Sequence, residues 1–142
     1  MILIDSNVWL YACLADMPHH PPCRIWLEDA LSGEERIALP WQVVVSVLRI
    51  STQPRLLQRP LSLGQALELV QGWIEHPLVE VLTPGERHWA ILQHLLVQIG
   101  SAGNLSNDAH LAALALEHDC SLCSADADFR RFPGLRLINP LA

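Results

Sequence analysis

The sequence predicts an α/β fold in which a mostly parallel sheet of about five strands has helices on both faces. Short apolar runs alternate along the chain with longer segments whose apolar residues recur at spacings of three and four. No hairpin signal joins one short run to the next, and strand–helix alternation of this kind is typical of parallel sheets. With 142 residues, 51% of them hydrophobic, the chain is expected to form one domain, 1–142.

Five short apolar runs, each bounded by turn or breaker residues, are the predicted strands. They cover residues 1–4, 37–39, 79–82, 121–123 and 136–138. The proline-containing stretch 53–60 predicts a connection.

Apolar residues between the strands predict helices whose apolar faces pack in the core. One face comprises Leu63, Leu67, Val70 and Ile74, and another comprises Trp89, Leu92, Leu96 and Ile99. Residues 109–116 are apolar nearly all round apart from His110, which predicts a helix covered on several sides. The three valines at 43–45 favour a strand by propensity, but Pro40 before them and Arg49 after them also allow a helix.

The charge and hydropathy of the chain exclude some classes of protein. A formal net charge of −6 argues against a protein that coats nucleic acid through a basic face, but not against an enzyme that acts on nucleic acid through metal ions. The longest apolar runs, 8–15 and 111–116, are far shorter than the roughly 20 residues of a membrane span. The N-terminus also lacks the pattern of a signal peptide, so a cytoplasmic protein without a membrane anchor is expected.

The cysteines do not predict a metal site. Cys120 and Cys123 have the C-x-x-C spacing, but they fall in a predicted strand, where residues three apart point to opposite faces and do not readily share one zinc ion. Cys13 and Cys23 complete no standard ligand pattern. Reduced, mostly buried thiols are expected.

Acidic residues follow or precede apolar elements at three places. Asp5, in MILIDSNVWL, either caps the next helix or is held for chemistry, because open parallel sheets bind ligands beyond the carboxyl ends of their strands. Asp108, in GNLSNDAHLAALALEH, falls in the first turn of a helix, where the macrodipole alone favours an acid. In LCSADADF, Ser124, Asp126 and Asp128 follow the fourth strand, at positions that also suit a turn.

Together these acids predict a divalent cation. Carboxylates gathered at one edge of a sheet repel each other and lose solvent, which is costly unless a cation neutralises them. Mg²⁺ and Mn²⁺ prefer carboxylate and water oxygens.

Ordered motifs along essentially the whole chain carry a family resemblance. They are IDSN, LPWQVVVSVLRIST, DAHLAALA, SADADF and RFPGLRLINPL. The set resembles the PIN-domain ribonucleases and, within them, the VapC-type toxins of bacterial toxin–antitoxin pairs. This resemblance implies a PIN-like three-layer α/β/α sandwich and an endoribonuclease that cuts structured RNA of the tRNA or rRNA type. It also implies a VapB-type antitoxin as partner and a homodimer. A large apolar partner surface is expected, built partly from the helices around Trp26 and Trp73.

The resemblance further implies the roles of individual residues. Asp5, Asp108 and Asp126 correspond to the catalytic acids that hold Mg²⁺, for which Mn²⁺ substitutes, so that a metal-activated water attacks the phosphodiester. The positions that correspond to supporting residues are Asn7, Ser124 and Asp128.

One position departs from the family's pattern. Many members carry a glutamate three residues before the arginine of the segment VVVSVLRI, where this chain has Ser46 before Arg49. The missing carboxylate predicts weaker metal binding, with one tightly held ion rather than two in the absence of RNA. A PIN-like binding module without catalysis and a metal-dependent nuclease that acts on DNA are the alternatives.

Overall fold

Strands and helices alternate along the computed structural model, which describes all 142 residues. The strands are β1 (Ile2–Ile4), β2 (Ile37–Pro40), β3 (Val79–Leu82), β4 (Ser121–Cys123) and β5 (Leu137–Ile138). The α-helices are α1 (Ser6–Cys13), α2 (His20–Leu31), α3 (Trp41–Ser51), α4 (Leu63–Glu75), α5 (His88–Ile99) and α6 (Ser106–Glu117). Two 3₁₀ turns, Gly103–Leu105 and Ala127–Arg131, lie before α6 and after β4. None of the helices has the length and hydropathy to cross a membrane.

The five strands form one fully parallel sheet in the order β3-β2-β1-β4-β5. The chain moves from β1 to β2 to β3 in one direction and then crosses to β4 on the other side of β1. Because crossovers between parallel strands are right-handed, this reversal puts α1 to α4 on one face and α5 and α6 on the other. The predicted α/β architecture and the five strands are confirmed, with strand ends that differ by no more than one residue.

The core is centred on β1, β4 and α6. Leu3, Ile4 and Leu122 are wholly buried, and the residues at 109 and 111–115 of α6 are buried as well. Four of those α6 residues are alanines, whose small side chains let the helix lie close to its neighbours. The prediction of a helix covered on several sides is confirmed.

Helix α3 resolves the ambiguity at the three valines. Val43 and Val44 are buried together with Val47, whereas Val45 is 61% exposed. Burial at 43, 44 and 47 follows helical spacing, so this side of α3 packs in the core although its valines favour a strand in isolation. Tertiary packing therefore overrides local propensity in this segment.

The predicted core faces of α4 and α5 are partly wrong. Leu63 and Leu67 of α4 are 69% and 49% exposed, and Trp89 of α5 is 67% exposed. The residues that α4 buries are Ala66, Val70 and Trp73. Apolar residues occupy much of the surface of both helices, so several stripes fit the sequence and only contact with the neighbouring elements selects one.

Trp73 itself belongs to the core, and the exposed large apolar residues of α4 are Leu63 and Leu67. The ring of Trp73 lies 4.3 Å from that of Trp9, centroid to centroid, with 33° between the planes. Trp9 is wholly buried and Trp73 is 7% exposed, while Trp26 is half-buried against the core. Trp73 therefore holds α4 against α1.

The four cysteines form no disulfide, and Cys23, Cys120 and Cys123 are buried. Burial raises the pKa of all four thiols, to about 11 for Cys13. A thiol with a raised pKa stays protonated near neutral pH and is a poor nucleophile. The expectation of reduced, mostly buried thiols agrees with this arrangement.

We expect Trp73→Ala to destabilise the fold by about 3 to 5 kcal/mol, because it removes a buried indole and leaves a cavity against Trp9. Trp89→Ala, at a residue that is 67% exposed, is the matched control. It should change the free energy of unfolding by less than about 0.5 kcal/mol. Urea denaturation of both variants measures the difference. Equal destabilisation by the two substitutions would contradict the packing of α4 against α1.

Candidate active site

Asp5 follows the last residue of β1 and fills both of the roles that the sequence left open. Its Oδ1 accepts a hydrogen bond of 2.7 Å from the backbone N–H of Ser6 and so caps α1. Its Oδ2 accepts a hydrogen bond of 2.8 Å from Ser124 Oγ, at the end of β4. Burial raises the pKa of the Asp5 carboxyl group, and the charge of Asp126 adds to the rise, while the hydrogen bonds from Ser124 and Ser6 oppose it.

Ser124 ties the ends of β1 and β4 together. The residue is 3% exposed, and its hydroxyl accepts hydrogen bonds from the backbone N–H of Asp126 at 3.0 Å and from Asn7 Nδ2 at 3.3 Å while it donates to Asp5. A serine hydroxyl has one donor and two acceptor positions, so its capacity is filled. Asn7 Oδ1 in turn accepts from the backbone N–H of Ala125 at 3.3 Å. Asn7 is therefore linked to Asp5 through the hydroxyl group of Ser124.

Asp126 and Asp128 lie beyond the end of β4, and both are exposed. Asp126 Oδ1 accepts a hydrogen bond of 2.8 Å from the backbone N–H of Asp128 and caps the 3₁₀ turn that follows. This bond leaves Asp126 Oδ2 without a partner from the protein. Asp128 Oδ1 lies 3.9 Å from Arg131 Nη2, at the outer limit of an ion pair.

Asp108 comes from the first turn of α6, on the opposite face of the sheet from α1. Burial raises its pKa to about 6, and the negative charges of Asp126, Asp5 and Asp128 contribute in that order. The structure thus brings the three predicted catalytic acids into one electrostatic neighbourhood, although they come from β1, α6 and the turn after β4.

No basic side chain neutralises these acids. Asp5, Asp108 and Asp126 take part in none of the ion pairs in the structure. The pKa of Asp5 and that of Asp108 are both raised, which means that the folded chain disfavours their ionised forms. A bound cation would reverse this effect, because an opposite charge nearby favours the carboxylate.

The donor set fits a hard divalent cation in an open site. No three His, Cys, Asp or Glu side chains are gathered closely enough to enclose an ion by themselves. Mg²⁺ commonly keeps several waters and is bound through one or two carboxylates together with substrate phosphates. Unpaired acids that leave coordination positions open suit Mg²⁺ or Mn²⁺ better than an ion that needs a closed cage of side chains.

The first turn of α3 brings in a residue that the sequence motifs do not single out. Gln42 Nε2 donates a hydrogen bond of 3.2 Å to the carbonyl oxygen of Asn107, directly before Asp108. Its Oε1 is shielded from solvent and has no partner. Ser46, one turn further along α3, is half-buried and forms no hydrogen bond with the three acids. The only sequence signal for Gln42 is that a polar residue closely follows the second strand. The direction of its side chain cannot be predicted until residues 41–51 are known to form a helix.

Comparison with known proteins identifies the family of this chain. The family model of the PIN domain matches residues 2–135. Ribonuclease VapC37 of Mycobacterium tuberculosis (strain ATCC 25618 / H37Rv) is 42% identical over 142 residues, which cover 100% of this chain and 99% of that protein. Ribonuclease VapC33 of the same strain is 38% identical over 141 residues, which cover 99% of each chain.

Solved structures show the same fold. The chain matches one in the crystal structure of VapBC2 from Rickettsia felis, bound to a DNA fragment from the promoter, with a TM-score of 0.72, 21% identity and 98% coverage of each chain. It also matches a chain of VapBC-1 from nontypeable Haemophilus influenzae, with a TM-score of 0.70, 19% identity and 100% coverage of each chain. The chain therefore belongs to the PIN-domain family. Within that family it belongs with the VapC proteins, as its full-length identity to VapC37 shows.

We expect Asp108 to contribute a loss of stability to the metal-free protein as the pH rises from about 4 to about 6. The pKa of Asp108 rises from 3.8 to about 6 on folding, so in this window the folded state binds the proton more tightly than the unfolded state does. Asp108→Asn removes the titration and should stabilise the protein at pH 7, on the order of 1 kcal/mol once solvent screening is allowed for.

Thermal melts in EDTA across this pH range, for the wild type and Asp108→Asn, measure the effect. Asp29→Asn is the control, because Asp29 is exposed and forms no ion pair. Identical profiles for the wild type and Asp108→Asn would show that folding does not raise the pKa of Asp108.

Proposed function

We propose that this chain is the toxin of a VapBC-type toxin–antitoxin pair and acts as a metal-dependent endoribonuclease. The observation that carries the proposal is the convergence of Asp5, Asp108 and Asp126 without a basic partner. Like charges in a partly desolvated place destabilise the folded state. A cluster with this cost is better explained by binding of a cation than by a structural role alone.

Asp5, Asp108 and Asp126 would hold Mg²⁺, for which Mn²⁺ can substitute. When bound, such an ion lowers the pKa of a water ligand and offsets the negative charge of the phosphodiester. The pKa of Asp108 is raised to about 6 in the metal-free chain, so part of the Asp108 population is protonated near that pH. Metal binding must displace that proton, so the affinity for the ion should increase as the pH rises through this range.

The surrounding residues prepare the acids for this role. Ser124 and the backbone N–H of Ser6 each hold one oxygen of Asp5, which fixes the orientation of the carboxylate before a ligand arrives. Asn7 Nδ2 donates a hydrogen bond to Ser124 Oγ. Asp128 lies at the exposed rim and would interact with a second ion or its waters, whereas Ser46 adds no charge. One tightly held ion, with the RNA phosphate helping to bind a second, is consistent with this distribution of charge.

RNA is favoured over DNA as substrate by the relatives. VapC37 and VapC33 are named ribonucleases. VapC20 of Mycobacterium tuberculosis, which is 16% identical with a TM-score of 0.66, is described as a toxin that cleaves the sarcin-ricin loop. We infer a structured RNA of the tRNA or rRNA type, cut in a looped or single-stranded region where the backbone can reach the acids.

A VapB-type antitoxin is the proposed partner, and a homodimer is the proposed assembly. Solved VapBC complexes with the same fold support the antitoxin. Large apolar side chains lie exposed on helices of both faces, among them Leu63 and Leu67 of α4 and Trp89 and Val97 of α5. An antitoxin or a second copy of the chain would cover such residues.

We expect RNA cleavage to require Mg²⁺ or Mn²⁺ and each of the three acids. Asp5→Asn, Asp108→Asn and Asp126→Asn should each reduce the cleavage rate by more than about 100-fold, because losing a metal ligand is worse than the 10- to 100-fold loss typical of its supporting residues. Ser124→Ala should fall within that smaller range. The measurement is cleavage of labelled RNA and of DNA with the same sequence.

The Asp29→Asn variant is the control, because it loses a carboxylate elsewhere on the surface. This variant should cut RNA at the wild-type rate. Cleavage that persists in excess EDTA or in Asp126→Asn would contradict the proposal. Preference for DNA over RNA would favour the alternative of a DNA nuclease, and metal binding without cleavage of either would favour a binding module.

We expect the wild-type chain to arrest growth when expressed alone, because uninhibited cleavage of cellular RNA stops protein synthesis. Co-expression with the cognate antitoxin should restore growth and yield. Asp126→Asn should accumulate alone without growth arrest, since the substitution removes the activity and keeps the fold. Growth curves and total RNA gels check this. Normal growth and intact RNA in cells that accumulate the wild-type chain would overturn the toxin assignment.

A further inference from the structure

Arginine supplies all nine strongly basic side chains of this acidic protein, and most of them are already engaged. The arginines in ion pairs are Arg24, Arg36, Arg59, Arg131 and Arg136. Arg87 donates to the carbonyl oxygen of Glu117. The arginines whose side chains form neither an ion pair nor a hydrogen bond are Arg49, Arg55 and Arg130. Of these three, Arg130 lines a pocket together with Asp126.

Arg130 lines a pocket of about 230 Å³ together with Ser124 and Asp126. Leu137 gives the pocket an apolar wall, and Asn139 gives it a polar one. The Oδ1 of Asn139 accepts a hydrogen bond of 2.9 Å from the backbone N–H of Leu141, so its free group is the amide NH₂. The pocket therefore combines a guanidinium and an amide donor with one of the candidate catalytic acids.

The absence of an ion pair at Arg130 is informative because acids are close at hand. Asp126 lines the same pocket, and Asp128 is two residues away, yet neither forms an ion pair with this guanidinium. All five N–H groups of Arg130 are consequently available to a ligand. Arg130 therefore gives the pocket an unpaired positive charge with which an anion can pair.

We propose that the pocket binds the phosphate and ribose of the nucleotide next to the cleaved bond, with Arg130 as the phosphate ligand. The proposal rests on the proposed ribonuclease function. A guanidinium matches the oxygens of a phosphate through two parallel hydrogen bonds, Asn139 donates a further one, and Leu137 contacts the sugar. The pocket is smaller than the roughly 300 to 1,000 Å³ of sites for drug-sized ligands, so it suits one unit of an extended strand.

The proposed subsite lies on the β4–β5 side of the cleaved phosphate, because the pocket is lined by residues of the turn after β4 and of β5. An extended RNA strand can place one phosphate at the acids and the next phosphate at Arg130. A base-paired helix holds its backbone in a fixed curve, so a flexible single-stranded segment should be preferred.

Binding of a short labelled single-stranded RNA tests the proposal, measured by fluorescence anisotropy in Mn²⁺ at several salt concentrations. The Asp108→Asn background prevents cleavage, and Asp108 does not line the pocket. Arg130→Ala should weaken binding by roughly 10-fold or more, as the loss of a hydrogen bond to a charged group does. It should also reduce the slope of log K against log salt by about 0.7, the value for one phosphate contact on a single strand.

Two further variants separate charge from geometry. Arg130→Lys keeps the charge without the paired hydrogen bonds, so the salt slope should be retained while the affinity is only partly restored. Arg55→Ala removes an exposed, unpaired arginine outside the pocket and should bind RNA as the parent protein does.

Kinetics and calorimetry distinguish this subsite from the metal site. In the otherwise wild-type chain, Arg130→Ala should raise KM for RNA more than it lowers kcat, and the Mn²⁺ affinity should be unchanged. If Arg130→Ala binds and cuts RNA as the wild type does, the subsite is wrong and the ribonuclease function stands. If the wild type binds Mn²⁺ but neither binds nor cuts RNA, the function is wrong and the subsite is wrong with it.

Discussion

The hydrogen bond from Ser124 Oγ to Asp5 Oδ2 joins the ends of two adjacent parallel strands, and the acidic site depends on it. The bond is possible because Ile4 lies opposite Cys123 in the β1–β4 pair, and the Asp5 N–H continues that pairing to the Cys123 carbonyl at 2.9 Å. A shift by one residue would turn every side chain of the strand to the other face of the sheet. The register of two three-residue strands therefore decides whether the carboxylates meet.

The same convergence carries an energetic cost that the core has to offset. Burial and mutual repulsion raise the pKa of Asp5 and that of Asp108, so in the metal-free chain the ionised acids destabilise the fold. Wholly buried residues of β1, β4 and α6 form the core, and the Trp9–Trp73 contact holds α4 against α1. The apolar core thus stabilises the fold, while the unpaired acids at the edge of the sheet destabilise it. Functional sites commonly cost stability in this way.

The positions of the charged side chains say more about the site than the net charge does. A net charge of −6 correctly argues against a broad basic face, since five of the nine arginines are in ion pairs with acids. What the total charge conceals is an unpaired guanidinium, Arg130, next to the unpaired carboxylates. An unpaired positive charge thus lies next to unpaired negative charges in a protein whose total charge is negative.

The sequence by itself determined where the strands lie, because a short apolar run between breaker residues is compatible with few other structures. It also determined that acids lie at the sheet edge, because a carboxylate directly after such a run lies at the carboxyl end of a parallel strand. Tertiary structure alone decided that the three valines belong to a helix, that Leu63 faces solvent while Trp73 is buried, and that Gln42 reaches Asn107. It also decided that Arg130 is the arginine left unpaired beside Asp126. The physical reason is the same in each case. Propensity and spacing act within one segment, whereas the face that a helix buries and the partner that a side chain finds depend on segments far away in the chain.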